Sequence, residues 1–489
     1  MTSLARQSSW ITVLTAAGLG LGFVNMALLF PRFLTADEFG LTRLVVSISA
    51  IAAQVAQLGM EATVIRYFPY FRDGARRHNG LFSLALLVGT IGAALAIVVL
   101  ILLRGHLTAW FSDASGLYAG HGVMVLPLTV AEVYFILLRG FSRTLTRSIP
   151  PVFAREFLLR ALQTALVGAY AIWKLPFGVF VWAYASTFIL TTAVLLFDLF
   201  RTNGLRFVPG KIRLPRRMAR SMIRYGLFTL ATGISGIAVG NVDQLMLAAM
   251  LRDGLAYVAY YAVALFMAST ILVPSRAMLI PVLPVVAEAW RKRDLERIGS
   301  IYRRTGILQL MLGTFIFICI AVNIDPLFSF LGAEYGAAKP AMIVLGCSNV
   351  LALASGLSGG IVSTSRRYAF DAYTGLLFFS VNFVLDFVLI KWLGMIGAAW
   401  SSLGAVIFLV AWRVSFLGRR FGIWPFEART LVRIPIPVCA SAAVFLLPGT
   451  GLAVIDIVLR CGAVAVVYWS LTFWLGLTPE LFTVLNRRR

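Results

Sequence analysis

Few residues in this chain can do chemistry, and most of them lie inside apolar runs. The stretch GISGIAVGNVDQLMLAAML (233–251) carries one carboxylate, Asp243, near its middle. At the centre of a bilayer such a charge costs about 2.5–3.5 kcal/mol even on the lenient insertion scale, so it needs a partner or a task. Further on, YAFDAYTGLLFFSVNFVLDFVLIKW (368–392) holds Asn382 and Asp386, whose i, i+4 spacing puts both on one helix face. Two carboxylates and an amide oxygen form a hard-oxygen set suited to Na⁺, or a site that H⁺ neutralises. Ser402, in MIGAAWSSLGAVIF (395–408), adds a hydroxyl at similar depth. The alternative is that Asp243 only hydrogen-bonds Asn241, Gln244 or a neighbouring helix, and that Asp386 reaches interfacial water.

A second cluster is basic. PPVFAREFLLRALQ (150–163) places Glu156 and Arg160 one turn apart with Arg155 beside them, and Glu132 lies at similar depth in the preceding apolar run. If the acids leave one guanidinium in surplus, it draws in an anionic head group such as a pyrophosphate, which Arg binds well. Otherwise the cluster is an ion-pair clamp. Arg32 and Arg43, near the outer ends of the first two apolar runs, serve as an exit-side counterpart or simply sit at the interface. Asp456 and Arg460, again i, i+4, read as a self-neutralised pair. His78, His106 and His121 lie in or near the breaks, so no histidine relay is expected, and Cys319, Cys347, Cys439 and Cys461 read as packing residues.

The elements that position these groups are transmembrane helices. The 489 residues are 60% hydrophobic and 13% charged; mean hydropathy is +0.89, and apolar runs long enough to span a bilayer recur between short polar breaks. The expected class is an all-α polytopic membrane protein. The first run, about residues 9–31, is too long for a signal-peptide core. Fourteen spans are expected, starting near Trp10, Leu41, Leu81, Leu117, Val152, Phe177, Met222, Leu255, Gly306, Ala338, Tyr368, Met395, Val432 and Leu452. Of the 43 Lys and Arg residues, alternate breaks hold 33 and 7, and Arg155, Arg160 and Arg460 fall inside spans. That split orients both termini to the cytoplasm. The net charge of +23 therefore reports orientation, not nucleic-acid binding. The breaks are too short for a nucleotide-binding or glycosyltransferase domain. KRDLERIGSIYRR (292–304) reads as a cytoplasmic surface helix.

Segments 24–50 and 242–269 share a pattern, an apolar helix with an early polar residue (Asn25, Asp243), an outer turn, then a second apolar helix. The offset is about 218 residues, or six spans, so the halves have the same orientation. The domain reading is an N-lobe at 1–200, a basic cytoplasmic linker at 201–221, a C-lobe at 222–418, and two further helices with a tail at 419–489.

With PRFLTADEFGLTRL (31–44), LGMEATVIRYFP (58–69), NVDQLMLAAML with AYVAYYAVAL (241–265), PVLPVVAEAWRKRDLERIGSIYRRT (281–305), FLGAEYGAAKPAMIVLGCSNVL (330–351) and VNFVLDFVLIKWLGMIGAAWSS (381–402), the chain resembles the oligosaccharide-lipid flippases. These form a branch of the multidrug/oligosaccharidyl-lipid/polysaccharide (MOP) exporter superfamily. The resemblance implies two six-helix lobes around a cavity, two extra C-terminal helices, and passage of an undecaprenyl-diphosphate-linked glycan across a bacterial inner membrane. Related lipid II flippases have a Na⁺ site whose Asp, Asn and Asp positions look like Asp243, Asn382 and Asp386, with a backbone carbonyl near Ala398 and a hydroxyl at Ser402. Partners implied are the lipid-linked oligosaccharide, membrane lipid and other polysaccharide assembly proteins; no resident cofactor is expected beyond a coupling Na⁺ or H⁺. Competing readings are a multidrug/cation antiporter of the same superfamily, a membrane-embedded glycan ligase or polymerase, for which the outer breaks are too short, and a non-transporting scaffold.

Overall fold

The computed structural model describes residues 3–71, 80–111, 116–203, 215–365, 367–426, 433–447 and 449–477. The cations counted at Arg72, Arg76, Arg77, Arg366, Arg429 and Arg487 to Arg489, His78, and residues 204–214 of the basic segment lie outside them. Among the described residues there is helix and no strand. That is what hydrocarbon demands of a chain this apolar, because a helix satisfies its backbone groups within itself.

By length and composition, eleven helices among the described residues suffice to cross a membrane. A twelfth is α8, Arg216–Met250, which bends by 61° between Ile237 and Gly240. Of the fourteen spans expected, two differ. The fifth is built from Ile149–Val152, a π-helical turn Phe153–Leu158 and α6, Leu159–Trp173, and is interrupted by three charges. The thirteenth shows only a short apolar helix, Pro435–Leu446.

The chain divides into two compact units, residues 1–262 and 263–489. Helix α8 packs within the first unit. Its neighbour there is α2, Ala36–Ala56. Small residues allow that approach, since a Cβ on Gly59 would strike the Gly226 backbone and one on Gly233 the side chain of Gln54. Ser47 donates to Gln244 Oε1 at 3.1 Å across the same contact. The TADE stretch starts α2 with a capping box, Thr35 and Glu38 each binding the other's backbone N–H. Also in this unit, α3 (Met60–Phe71) meets α5 (Val125–Thr144) through a two-bond fork from Arg139 to Glu61, both bonds 2.8 Å.

In the second unit the expected surface helix at 292–304 is instead the start of a long one, α11, Leu295–Val322, capped by Asp294. Ile298 and Tyr302 are fully buried against Leu357 and Ile361, so one face of this basic segment is core. Two further helices, α14 (Tyr368–Leu393) and α15 (Met395–Phe421), pack closely, with Gly397 on the Leu389 carbonyl. Within the C-terminal region the Tyr468 hydroxyl donates to the Met311 carbonyl at 2.9 Å and ties the last helix, α17 (Ala453–Trp474), to α11. Asp456 and Arg460 interact electrostatically but form no direct ion pair. Asp456 accepts from the Thr450 N–H and hydroxyl (2.7 and 2.8 Å), while Arg460 donates to the carbonyls of Val322 and Leu447.

Candidate functional site

The first unit holds most of the predicted basic residues. Helix α1, Ser3–Phe23, continues into a π-helical turn, Val24–Leu29, and faces the π-helical turn that opens the fifth span. Such turns shift the helical register by one residue and occur often at functional sites. The glycines of GLGLG (18–22) set how close the two helices come. A Cβ on Gly18 would collide with the Glu156 backbone carbonyl, and one on Gly22 would lie 3.2 Å from the Arg160 guanidinium, whereas Gly20 has open space. Buried Asn25 donates to the Arg160 carbonyl at 2.9 Å and accepts from Thr164 at 2.7 Å. Thr164 is a site residue that the sequence reading did not single out, although it lies one turn after Arg160.

Each of the two predicted arginines meets an acid, the ion-pair arrangement that the sequence left open beside a surplus guanidinium. Arg160 meets Glu156 at 2.9 Å and Arg155 meets Glu132 at 2.5 Å. Both are contacts of a guanidinium nitrogen with a carboxylate oxygen. The side chain of Glu132 is 8% exposed and that of Arg155 is 32% exposed, so the cation is more accessible than the acid that neutralises it. Arg155 also lies 5.3 Å from the ring centres of Phe135 and Phe188, both buried. Phe188 packs edge-on to Tyr184 at 5.6 Å, and Tyr184 accepts a hydrogen bond from Arg43. The Arg43 guanidinium in turn lies over Phe30, Phe39 and Tyr184. A continuous path of cations and aromatic faces thus runs from Glu132 to Arg43 inside this unit. Arg32 is exposed and does not join it.

Asp243 is fully buried on α8, three residues after Gly240, whose φ of 81° requires a residue without Cβ and marks the break in the helix. The side-chain amides of Asn241 and Gln244 donate to the carbonyls of Ile237 and Gly240 at 2.6 and 3.0 Å, capping groups that the break frees. Tyr261, also fully buried, donates to Asp243 Oδ2 at 2.5 Å from α9, Gly254–Ser269. The sequence reading missed Tyr261, yet a signal existed. In an antiparallel helix pair joined by a tight turn, residues equally far from the turn sit at equal depth, and Asp243 and Tyr261 mirror each other about Arg252.

In the second unit Asn382 donates to Asp386 Oδ2 at 2.7 Å, as their spacing implied, and both are buried. Ser401, which the sequence reading passed over for Ser402, donates to the Asn382 carbonyl at 3.0 Å. Ser402 and Ala398 are both buried on α15. Among the described residues no three His, Cys, Asp or Glu side chains gather as a transition-metal site would require. The available donors are carboxylate, amide and hydroxyl oxygens, which suit an alkali cation.

Fold and composition together define a polytopic α-helical membrane protein. The structure is similar to the lipid II flippase MurJ in an inward closed conformation, at TM-score 0.70 and 12% identity over 95% of this chain and 99% of that one. It is also similar to an inward-facing multidrug resistance MATE transporter of the MOP superfamily (TM-score 0.62, 16% identity, 84% of this chain and 94% of that one). A Vibrio cholerae MATE transporter, VcmN, matches at TM-score 0.55 and 13% identity over 84% of this chain and 96% of that one. No curated protein matches the sequence. Residues 4–290 match the family profile described as polysaccharide biosynthesis protein, and the chain belongs to that family.

Proposed function

We propose that this protein is a flippase that carries a lipid-linked oligosaccharide, on a polyprenyl diphosphate, from the cytoplasmic to the outer leaflet of a bacterial inner membrane. In this reading the chain has fourteen spans and both termini in the cytoplasm. The observation that carries the proposal is the Arg155–Glu132 contact, in which a guanidinium is held by two aromatic faces beside a shielded carboxylate. When the site is empty the buried charges balance, which keeps the interior affordable. A diphosphate carries more charge and more acceptor oxygens than one carboxylate, and so competes with Glu132 for Arg155. Arg160 supplies the neighbouring cation and Arg43 lies at the far end of the path, while exposed Arg32 stands outside it.

Coupling to Na⁺ or H⁺ is assigned to Asp243 in the first unit and to Asn382, Asp386, Ser402 and the Ala398 carbonyl in the second. Support comes from the repeat, since the offset that aligns Asn25 with Asp243 also aligns Thr164 with Asn382. Asn25 and Thr164 are hydrogen-bonded to each other within the first unit. A bound cation biases transport only if it binds one state more tightly than another.

The test is leaflet-resolved labelling of the lipid-linked glycan in cells. Deletion of the gene should trap it on the cytoplasmic side, and Arg155→Ala at normal protein level should do the same. Normal outer-leaflet labelling in the Arg155 variant would reject this site.

A further inference from the structure

The lower part of α15 is a helical face that changes chemistry along its length. Phe408, Trp412, Phe416 and Arg420 recur every four residues and form one column, an aromatic wall that ends in a cation. Beside it Ala411, Ser415 and Arg419 form a second column, with small residues that also end in a cation. The contrast in side-chain size leaves a trough, and Phe370 of α14 stacks onto its aromatic wall. Its walls are well built. The Phe370 and Phe416 rings stack at 3.7 Å, the Phe370 and Trp412 rings are parallel to within 2°, and Phe408 stacks on Trp412 at 5.8 Å.

The trough encloses about 630 Å³, and Trp412 is 45% exposed to it. From Phe408 to Arg420 it runs about 18 Å at 1.5 Å per residue, close to the thickness of one hydrocarbon leaflet. The nearest acid, Asp371, is already engaged by Arg413 at 2.7 Å. Among the described residues neither Arg419 nor Arg420 forms an ion pair, and both are exposed. The trough therefore has an apolar body as long as one acyl chain layer and, at its mouth, two exposed arginines that form no ion pair among the described residues.

We infer that this trough seats one anionic phospholipid, with its phosphodiester between Arg419 and Arg420 and one acyl chain over Ala411 and Ser415 against the aromatic wall. The seat shares no residue with the Arg155 site and does not depend on the transport reading; only its assignment to the cytoplasmic leaflet rests on the proposed orientation. It would fix the lower ends of α14 and α15, the helices that carry Asn382, Asp386 and Ser402.

The test uses the full chain purified in detergent, with native mass spectrometry of retained lipid during titration with phosphatidylglycerol, phosphatidylcholine of the same chains, and farnesyl diphosphate. One phosphatidylglycerol should bind in preference to phosphatidylcholine. Replacing both cations (R419Q with R420Q) should weaken it about thirty-fold, or about fivefold per juxtamembrane cation. The charge-matched pair R291Q with R297Q should leave it unchanged, and A411W should remove it by filling the trough while both arginines remain. Equal retention of the two phospholipids, or equal weakening by the two charge-neutralised pairs, would overturn the proposal. So would displacement of phosphatidylglycerol by farnesyl diphosphate at lower concentration, which would give the seat to the diphosphate carrier. Because the readout is lipid retention, it is independent of whether glycan export fails.

Discussion

Replacing Glu132 and Arg155 singly and together separates a clamp from a binding site. Glu132→Gln leaves the Arg155 guanidinium among Phe135 and Phe188 without its carboxylate, and Arg155→Gln leaves a buried carboxylate without its cation. Breaking a buried pair from one side costs about 3–5 kcal/mol. The value expected here is near 3 for Glu132→Gln, because Arg155 is one-third exposed and water screens it. It is larger for Arg155→Gln, because Glu132 is shielded. In the double variant both charges are gone and two amides of similar volume face each other. It should recover most of the loss, giving a coupling of at least about 4 kcal/mol in the double-mutant cycle. Thermal unfolding of the purified protein in one detergent measures that cycle, and leaflet-resolved glycan labelling measures export in parallel. The expected outcome is a split, with stability restored in the double variant and export still absent, because the guanidinium that holds the diphosphate is missing. A double variant that is stable and exports normally would refute the reasoning and reduce the pair to a clamp. The Arg139–Glu61 fork is the control. Arg139→Gln should lower stability without changing the dependence of export on substrate level, since that pair is aligned through two bonds and structural.

The glycine triplet gives a second prediction: Gly18→Ala should lower the yield of folded protein, at about 1–3 kcal/mol of overpacking, while Gly20→Ala is neutral because its Cβ meets nothing within 4 Å. Equal yields of the two variants would show that α1 does not approach the fifth span as described. Tyr261→Phe removes a hydrogen bond to a carboxylate, worth about 1.5–3 kcal/mol, and should shift the Na⁺ or pH dependence of export, whereas Asp243→Asn should abolish that dependence. Export that is insensitive to Na⁺ and pH in the parent protein would remove Asp243 from any coupling role. Thr164→Val deletes the hydroxyl that donates to Asn25 and should reduce export with little loss of protein; normal export would make that bond merely structural.

The sequence alone determined those features that follow from local chemistry. Apolar run length gave helices, because hydrocarbon admits no unsatisfied backbone. The i, i+4 spacing of Asn382 and Asp386 fixed their contact, because a helix places such positions one above the other. The capping box of Thr35 and Glu38 spans four consecutive residues and is likewise local. Partner choice across helices was decided only by tertiary structure. Glu132 and Arg155 are 23 residues apart and pair because their helices pack side by side, which no periodicity encodes. The same holds for Asp456 and Arg460, where helical spacing allowed a bond that Thr450 and two backbone carbonyls outcompeted. The 292–304 segment looked like a surface helix because its charges are visible in sequence, while the core that buries Ile298 and Tyr302 comes from residues more than 50 positions away. Register within a helix is a property of the chain, and the register of one helix against another is set by which side chains leave room, as Gly18 and Gly22 do for the fifth span.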